Sequence, residues 1–291
     1  MKKLSIRFST ILLVLGCSLL SRAAQAGNHP GQPGNFTQID VPGALFTVAN
    51  GINARGDIVG LYLDSSFSVH GFLLSNGAFT TIDAPGGNLT VALGINARGD
   101  IVGLYRDSSR SINGFLLSNG TFTTIDVPGT TFTVLDGINS KGDIVGEYRD
   151  SSDNIHSFLL SKGVFTTIDL PGAVLTNASA INPQGDIAGF YNDSSGNSHG
   201  FLLSKGEFTT FDVPGATQTS AFGINPRGDI VGIYTDNSEN GHGFLLSRGT
   251  FTTIDVPAAV LTNVSGINER GEIVGDYIDS DGNDHGFLLS R

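Results

Sequence analysis

The chain repeats itself at a fixed interval of 43 residues, and this repeat constrains its fold more than any other feature. The triplet Gly-Ile-Asn ends at Asn53, Asn96, Asn139, Asn225 and Asn268, with Ala180-Ile181-Asn182 in the remaining place. The segment Phe-Thr-x-x-Asp recurs in the same register, from Phe36 to Phe251. No insertion interrupts the register, so six copies occupy residues 34–291. A fixed period of this kind is typical of folds in which small identical units pack against one another.

Within one repeat, four short segments have the length and the residue types of β-strands. In the first complete repeat these segments are residues 47–53, 58–62, 70–74 and 79–83. Turn residues separate the segments, and Asn76-Gly77 is a strong signal for a tight hairpin, since both residues tolerate positive φ. Four antiparallel strands in roughly 40–45 residues is the size of one propeller blade. The sequence therefore predicts an all-β fold, a six-bladed β-propeller.

The two ends of the repeat region indicate how the ring closes. The region begins with the sequence of a fourth strand, from Phe36 to Asp40, and ends with the sequence of a third strand, from His285 to Ser290. We expect the N-terminal strand to complete the last blade, because this exchange joins both ends and leaves fewer exposed strand edges. The alternative is an open stack of four-stranded units, which would leave two unprotected ends.

The N-terminal residues predict export from the cell. Lys2, Lys3 and Arg7 form a basic start, an apolar run spans residues 11–20, and Ala24-Gln25-Ala26 is a cleavage site of small residues. We therefore assign residues 1–26 to a signal peptide, 27–35 to a polar linker and 36–291 to the propeller, and expect an extracellular or periplasmic location. The alternative is a lipid anchor at Cys17. No later apolar stretch approaches the ~18 residues of a membrane span.

Composition excludes some classes of partner. Acidic residues outnumber basic ones by 27 to 16, which argues against nucleic-acid binding through a basic surface. The single cysteine excludes an internal disulfide framework. We expect a monomer.

The repeat resembles a known bacterial family. The pattern Gly-Ile-Asn-x-x-Gly-Asp-Ile-Val-Gly-x-Tyr, followed by His-Gly-Phe-Leu-Leu, is similar to the HAF repeat of bacterial extracellular proteins. The His-Ala-Phe triplet of that family is His-Gly-Phe here, with departures at Asn113-Gly114-Phe115 and His156-Ser157-Phe158. The resemblance implies a secreted, propeller-like protein. It supplies no catalytic residues, because the family has no established activity.

Strand alternation sorts the loops onto two faces. The turns at residues 53–57 and 75–77 lie on one face, the framework face, whose sequence is nearly identical in all copies. The loops after Pro42 and after Asp64 lie on the other, the variable face. Loops on a rigid scaffold often carry function, although drift at exposed tips would produce the same variation. The predicted ligand-binding residues of this face are Phe46, Phe67, Arg110, Phe132, Asp153 and Glu239.

Histidine and aspartate recur in a fixed relation. Five of the six histidines share one register, six residues after an aspartate, as in Asp64 and His70. We interpret the pair as a hydrogen bond within each blade that fixes the loop. A ring of imidazoles that binds metal is the alternative.

One acidic loop resembles a calcium loop. Asp279, Asp281 and Asn283 offer oxygen ligands at alternate positions, as Ca²⁺ requires. The glycine is misplaced and no bidentate glutamate follows, so a plain acidic turn is the competing interpretation. Calcium at these three residues is the only cofactor that the sequence suggests.

No catalytic motif stands out. The chain lacks a Gly-x-Ser-x-Gly elbow and the histidine spacings of zinc enzymes. We predict a non-catalytic binding or surface-associated module whose ligand is extracellular polysaccharide or protein. The alternative is a hydrolase or lyase acting on a sugar or lactone, with acidic or histidine residues such as Asp136, Asp153, Asp193 and His199. A purely structural secreted protein is a third possibility.

Overall fold

A computed structural model of the chain describes residues 34–290, and all regular structure in that range is β-strand. The predicted signal peptide, Cys17 and most of the predicted linker lie outside the described residues. In each blade the first strand carries the Gly-Ile-Asn segment: β2 (Phe46–Ile52), β6 (Leu89–Ile95), β10 (Thr133–Ile138), β14 (Leu175–Ile181), β18 (Gln218–Ile224) and β22 (Leu261–Ile267). The second strands are β3 (Ile58–Leu63), β7 (Ile101–Arg106), β11 (Ile144–Arg149), β15 (Ile187–Asn192), β19 (Ile230–Thr235) and β23 (Ile273–Ile278).

The outer half of each blade has the same regularity. The third strands are β4 (Val69–Ser75), β8 (Ile112–Ser118), β12 (Ile155–Ser161), β16 (Ser198–Ser204), β20 (Gly241–Ser247) and β24 (Asp284–Ser290). The fourth strands are β5 (Ala78–Ile82), β9 (Thr121–Ile125), β13 (Val164–Ile168), β17 (Glu207–Phe211), β21 (Thr250–Ile254) and β1 (Asn35–Ile39). Blades 1 to 5 are β2–β5, β6–β9, β10–β13, β14–β17 and β18–β21, and blade 6 is β22, β23, β24 and β1.

The six sheets form a closed ring. Each sheet has four antiparallel strands, and the first strand of each blade contacts the first strand of the next, with β22 of blade 6 contacting β2 of blade 1. The first strands therefore surround a central axis. The predicted six-bladed β-propeller is confirmed, and the alternative of an open stack is wrong.

The N-terminal strand completes blade 6, as predicted. Strand β1 pairs antiparallel with β24, from Asn35 opposite Ser290 to Ile39 opposite Gly286. Ile39 is buried in a cluster with Ala49, Phe72 and Val274, which joins blade 6 to blade 1. The chain thus closes the ring by hydrogen bonds and by apolar packing.

Aromatic and glycine residues explain why the repeat is so strict. The phenylalanine of each third strand, such as Phe72, is fully buried and packs against the phenylalanine of the fourth strand. In blade 1 the two rings meet edge-on, with 5.5 Å between the centroids of Phe72 and Phe79. The second strand passes so close to the first that a Cβ atom at Gly60 would lie 2.0 Å from the carbonyl oxygen of Val48. Only glycine fits at this register, and it recurs there in every blade.

An asparagine ties each blade to the next on the framework face. Asn53 accepts hydrogen bonds from the backbone N–H groups of Arg55 and Asp57, which fixes its own turn. Its side-chain amide donates to the carbonyl oxygen of Asn96 in blade 2, at 3.3 Å. The same bond recurs around the ring, and Asn268 of blade 6 donates to the carbonyl oxygen of Asn53, at 3.0 Å. The six amides therefore form one closed circuit.

Truncating Ile39 tests the closure of the ring. We expect Ile39→Ala to lower the free energy of unfolding by about 2–4 kcal/mol, because the substitution leaves a cavity between blades 6 and 1. The measurement is urea denaturation followed by circular dichroism. The matched control is Ile82→Ala, at the equivalent position of blade 1, where the chain is continuous and burial is the same within 1% (5% exposed for Ile39, 4% for Ile82). A large loss for Ile82→Ala with none for Ile39→Ala would mean that β1 does not seal the ring.

Candidate functional site

Each histidine of the repeat lies in a local cluster of its own blade. In blade 1, Nδ1 of His70 lies 2.8 Å from Asp83 and Nε2 lies 3.4 Å from Asp64, while the ring stacks on Tyr62. Burial lowers the pKa of His70, but the hydrogen bonds to Asp83 and Asp64 outweigh it, so the pKa is raised above 6.5. The expected contact with Asp64 is present. The closer partner, Asp83 of the Phe-Thr-x-x-Asp segment, was not anticipated.

The same cluster recurs in blades 3 to 6 and is altered in blade 2. In blade 6 the partner of His285 is Asp40, supplied by the N-terminal strand. In blade 2, Asn113 replaces histidine, and Asp126 instead accepts a hydrogen bond from the backbone N–H of Gly114. Within residues 34–290, no group of three or more His, Cys, Asp and Glu side chains is arranged to hold a metal ion. Each imidazole contacts carboxylates of its own blade, which supports the structural interpretation of the histidines.

Four of the predicted ligand-binding residues lie at the tips of separate loops. Phe67, Arg110, Asp153 and Glu239 occupy the same turn position in four different blades, and each has positive φ, between 61° and 71°. The aspartate at the start of each loop fixes the turn, as Asp64 does by accepting the N–H groups of Ser66 and Ser68. Phe67 is 78% exposed. The structure therefore presents these side chains to solvent one by one and does not bring them together.

The two other predicted residues lie deeper. Phe132 is buried, and the Arg149 guanidinium lies 4.8 Å from the centroid of its ring. Phe46 lies at the start of β2 and lines a cavity on the propeller axis. Of the predicted aromatic contacts, Phe46 alone is placed at this cavity.

The predicted calcium ligands form a turn of the kind found in every blade. Asp279 accepts hydrogen bonds from the backbone N–H groups of Asp281 and Asn283, both at 2.9 Å, and from the side-chain amide of Asn283, at 3.0 Å. These bonds, that from the Asn283 amide foremost, lower the pKa of Asp279 to about 2. The turn accounts for the spacing of the acidic residues, and calcium binding there stays a prediction. Asn283 also lines the axial cavity.

The axial cavity has a volume of about 310 Å³ and lies toward the variable face. Its floor is built from a β-bulge in each first strand, where one residue has no partner on the second strand. A bulge re-aims the side chain of its extra residue. All six bulge residues line the cavity: Asn50, Leu93, Asp136, Ser179, Phe222 and Ser265.

The residues that line the cavity differ from blade to blade. The bulge residue is preceded by an invariant threonine three positions earlier and followed by an invariant isoleucine two positions later, yet its own identity changes from blade to blade. The second strand shows the same contrast, since the residue before the invariant tyrosine is leucine in blades 1 and 2, Glu147 in blade 3 and Asp276 in blade 6. The ring is therefore symmetric in its framework and asymmetric at its axis.

Blade 6 contributes a buried pair of carboxyl groups. Asp276 on β23 and Asp284 on β24 are diagonal neighbours in the sheet, because Asp276 pairs with Gly286 and Ile278 pairs with Asp284. Asn263 donates a hydrogen bond of 2.7 Å to Oδ2 of Asp276. Burial raises the pKa of Asp276 to about 6, and burial together with the charges of Asp276 and Asp40 raises that of Asp284 to about 8. Oδ1 of Asp284 is buried and accepts no hydrogen bond from the described residues.

Blade 3 contributes a second pair. Asp136 is the bulge residue of β10, and Glu147, 1% exposed on β11, accepts a hydrogen bond of 2.9 Å from the Asn177 amide. Burial and the charge of Glu147 raise the pKa of Asp136. Oδ2 of Asp136 is buried and has no hydrogen-bond partner among the described residues. Since two blades lie between blade 3 and blade 6 on either side of the six-bladed ring, the two carboxyl pairs lie on opposite sides of the axis.

The residues predicted from the sequence meet this cavity at Phe46, at Asn283 and at Asp136, which was named only as an acidic residue of the alternative hydrolase. The predicted binding surface was the variable face, and the other β-bulge residues of the first strands were not predicted. The signal was present in the repeats, because a comparison of the six copies position by position isolates Asn263, Asp276 and Asp284 as polar residues where blade 1 has valine or leucine.

Comparison with known proteins supports the fold and leaves the family open. No protein-family model and no curated protein matches the chain, so the likeness to the HAF repeat stays a prediction. AofleA from Arthrobotrys oligospora is similar in structure, with a TM-score of 0.57 and 14% identity over 93% of this chain and 90% of that one. The Aleuria aurantia lectin, described as a six-bladed propeller with a novel mode of fucose recognition, has a TM-score of 0.53 and 12% identity over 85% and 96%.

A bacterial propeller is similar to the same degree. TolB from Acinetobacter baumannii has a TM-score of 0.56 and 13% identity, over 86% of this chain and 65% of TolB. At such low identities these likenesses establish the propeller fold alone. Residues 34–290 include no helix with the length and hydrophobicity needed to cross a membrane.

The titrating groups predict how stability depends on pH. Asp276 and Asp284 hold protons in the folded state at pH values where an ordinary aspartate, with a pKa of 3.8, has lost them, and four histidines have raised pKa values. The stabilisation that these aspartates and histidines give to the folded state is therefore lost as pH rises through their folded pKa values. The loop aspartates have lowered pKa values, so their stabilisation is lost as pH falls. We expect the melting temperature to be highest near pH ~4 and to fall between pH ~4 and ~8.5. A melting temperature that rises over that interval contradicts these assignments.

Replacing the blade 6 pair by the residues of blade 1 tests how much the buried carboxyl groups lower the free energy of unfolding. Leu61 and Val69 occupy the equivalent positions, so Asp276→Leu with Asp284→Val introduces side chains that fit this framework. We expect the free energy of unfolding at pH 7.5 to rise by about 1–4 kcal/mol, since a buried polar pair is replaced by apolar packing. Calorimetry at several pH values measures this, and the decline between pH ~4 and ~8.5 should become shallower. Asp281→Asn, which removes an exposed carboxyl group of the same blade, is the control and should change neither quantity.

Proposed function

We propose that this chain is a secreted, non-catalytic propeller module that binds extracellular polysaccharide through the axial cavity. One observation carries the proposal: residues that differ from blade to blade converge at the cavity, whereas the loop tips that also differ lie apart from one another. A framework that is copied and a concave site that is not copied is what a binding scaffold requires. The basic start, apolar run and Ala24-Gln25-Ala26 site support secretion.

The lining has the chemistry of a carbohydrate site. Asn50, Asn177 and Asn263 offer amide groups, which both donate to and accept from hydroxyl groups. Phe46 and Phe222 supply aromatic surface for the apolar face of a sugar ring. The similarity in fold to fucose-binding lectins supports this choice of ligand class.

The shape of the cavity favours a saccharide over a protein partner. A volume of about 310 Å³ is at the lower end of small-molecule sites. A specific protein interface buries about 800 Å² on each partner and is far wider. A protein partner would instead bind the loop tips, and the Phe67→Ser variant below distinguishes that case.

The buried carboxyl groups favour a second function, hydrolysis of a sugar or lactone. A carboxyl group whose pKa is raised by burial can donate a proton at neutral pH, as the acid of a glycosidase does. Asp284, with a pKa of about 8, has this property, and Asp136 lies on the opposite blade. Assay of the bound saccharide for new reducing ends decides between binding alone and turnover.

Substitution of Phe222 tests the axial site. We expect the purified protein to bind a member of a panel of bacterial and fungal polysaccharides and oligosaccharides, measured by calorimetry. Phe222→Ser, which introduces the residue type of blade 6, should weaken binding about tenfold or more, because the ligand loses its aromatic contact.

The matched control is Phe67→Ser, an equally large truncation at an exposed loop tip of the same face. It should leave affinity unchanged. If Phe67→Ser weakens binding and Phe222→Ser does not, the loop tips are the site. Failure of every saccharide in the panel to bind contradicts the proposal.

A further inference from the structure

We propose that the axial cavity selects saccharides that carry free amino groups, and that the Asp276–Asp284 pair of blade 6 and Asp136 of blade 3 each hold one ammonium group of the ligand. The inference rests on the proposed function, because it names the class of saccharide that the same cavity takes. The charge of the lining, the hydrogen-bonding capacity of its carboxyl groups and the placement of the two pairs favour such a ligand.

The charge of the lining is one-sided. Asp136, Asp276 and Asp284 line the cavity, and the charge of Glu147 acts on Asp136, whereas no lysine, arginine or histidine is among the described lining residues. A buried carboxylate is costly unless an opposite charge accompanies it. A ligand that brings positive charge into the cavity removes this cost, and a neutral or acidic ligand does not.

Hydrogen-bonding capacity remains at both pairs. Oδ1 of Asp284 and Oδ2 of Asp136 are buried and accept no hydrogen bond from the described residues. An ammonium group has three donors and no acceptor, so it suits a pair of carboxyl groups better than a hydroxyl group does. Asn263 and Asn177 each hold one carboxylate oxygen, of Asp276 and Glu147, which orients the pairs in advance of binding.

The walls between the two pairs carry large apolar side chains beside the uncharged polar residues Asn50 and Ser179. Val48, Leu93 and Phe222 come from blades 1, 2 and 5, and they line the cavity between blades 3 and 6. Walls of this kind suit an organic cation, since a metal ion prefers a continuous shell of oxygen ligands. Two carboxyl pairs on opposite blades match an oligosaccharide with amino groups on more than one sugar.

The raised pKa values of Asp276 and Asp284 agree with this reading. A raised pKa means that the pair binds protons more tightly than ordinary aspartates do. A bound ammonium group supplies the positive charge that these protons otherwise supply. The competing possibility is that the protonated pair donates hydrogen bonds to a neutral sugar. The two possibilities predict opposite effects of masking the amino group.

Matched saccharides that differ only in N-acetylation test the inference. The probes are β-1,4-linked glucosamine tetramer and its fully N-acetylated counterpart, together with galactosamine oligosaccharides in free and acetylated form. Calorimetry at pH ~6 keeps the amino groups protonated. We expect the free amine of at least one pair to bind at least tenfold more tightly than its acetylated form.

Two variants identify the residues responsible. Asp276→Asn with Asp284→Asn keeps the size of the side chains and should reduce the preference for the free amine at least tenfold. The blade 1 substitutions Asp276→Leu with Asp284→Val, which fit the framework, should do the same. Glu269→Gln, which removes an exposed carboxyl group on the framework face of the same blade, is the control and should keep the preference.

The outcomes separate this inference from the proposed function. Equal affinity for the free and acetylated forms, or a preference that survives both double variants, overturns the inference while saccharide binding stands. Binding of neither member of either pair also overturns it, and the wider saccharide panel then decides the proposed function on its own.

Discussion

One hydrogen bond, repeated six times, holds the blades in their circle. The amide of Asn53 fixes its own turn and also reaches the next blade, and Asn268 returns the circuit to Asn53. Because the circuit closes, each blade must present the same turn at the same height and angle. A deviation in one blade would be passed to all others. The framework face therefore holds every blade to the same turn, and together with the buried phenylalanine and the close-packed glycine of each blade it favours a strict 43-residue period.

Sequence variation is concentrated at the loop tips and at the axis. The loop tips vary singly, and each is supported by its own aspartate, as Phe67 is by Asp64. The axis differs, because residues from all six blades converge there. Asp276 and Asp284 stand where blade 1 has Leu61 and Val69, so blade 6 gives up apolar packing to present polar groups. The packing of the other blades offsets the stability that blade 6 loses by carrying these polar residues.

The sequence predicted the architecture almost completely and the site poorly, for physical reasons. Blade number, strand order and the exchange of the N-terminal strand follow from a period that any packing arrangement must respect. The direction of Asn50 or Asp136 depends on a β-bulge, and no residue type marks a bulge in these strands. The partnership of His70 with Asp83 depends on the pairing of β4 with β5, which places residues 13 apart on adjacent strands. Contacts set by strand register are hidden until the register is known.

The exchange of the N-terminal strand has a consequence for how the propeller folds during its synthesis. Of the 24 strands, the ribosome delivers β1 first and its partner β24 last, so blade 6 stays unfinished until β24 has been made. Asp276 and Asp284 belong to that blade, and Asp40 of the N-terminal segment is the partner of His285. A chain that is truncated at either end lacks one of the two strands. The last part of the propeller to become competent is thus the part on which its proposed chemistry depends.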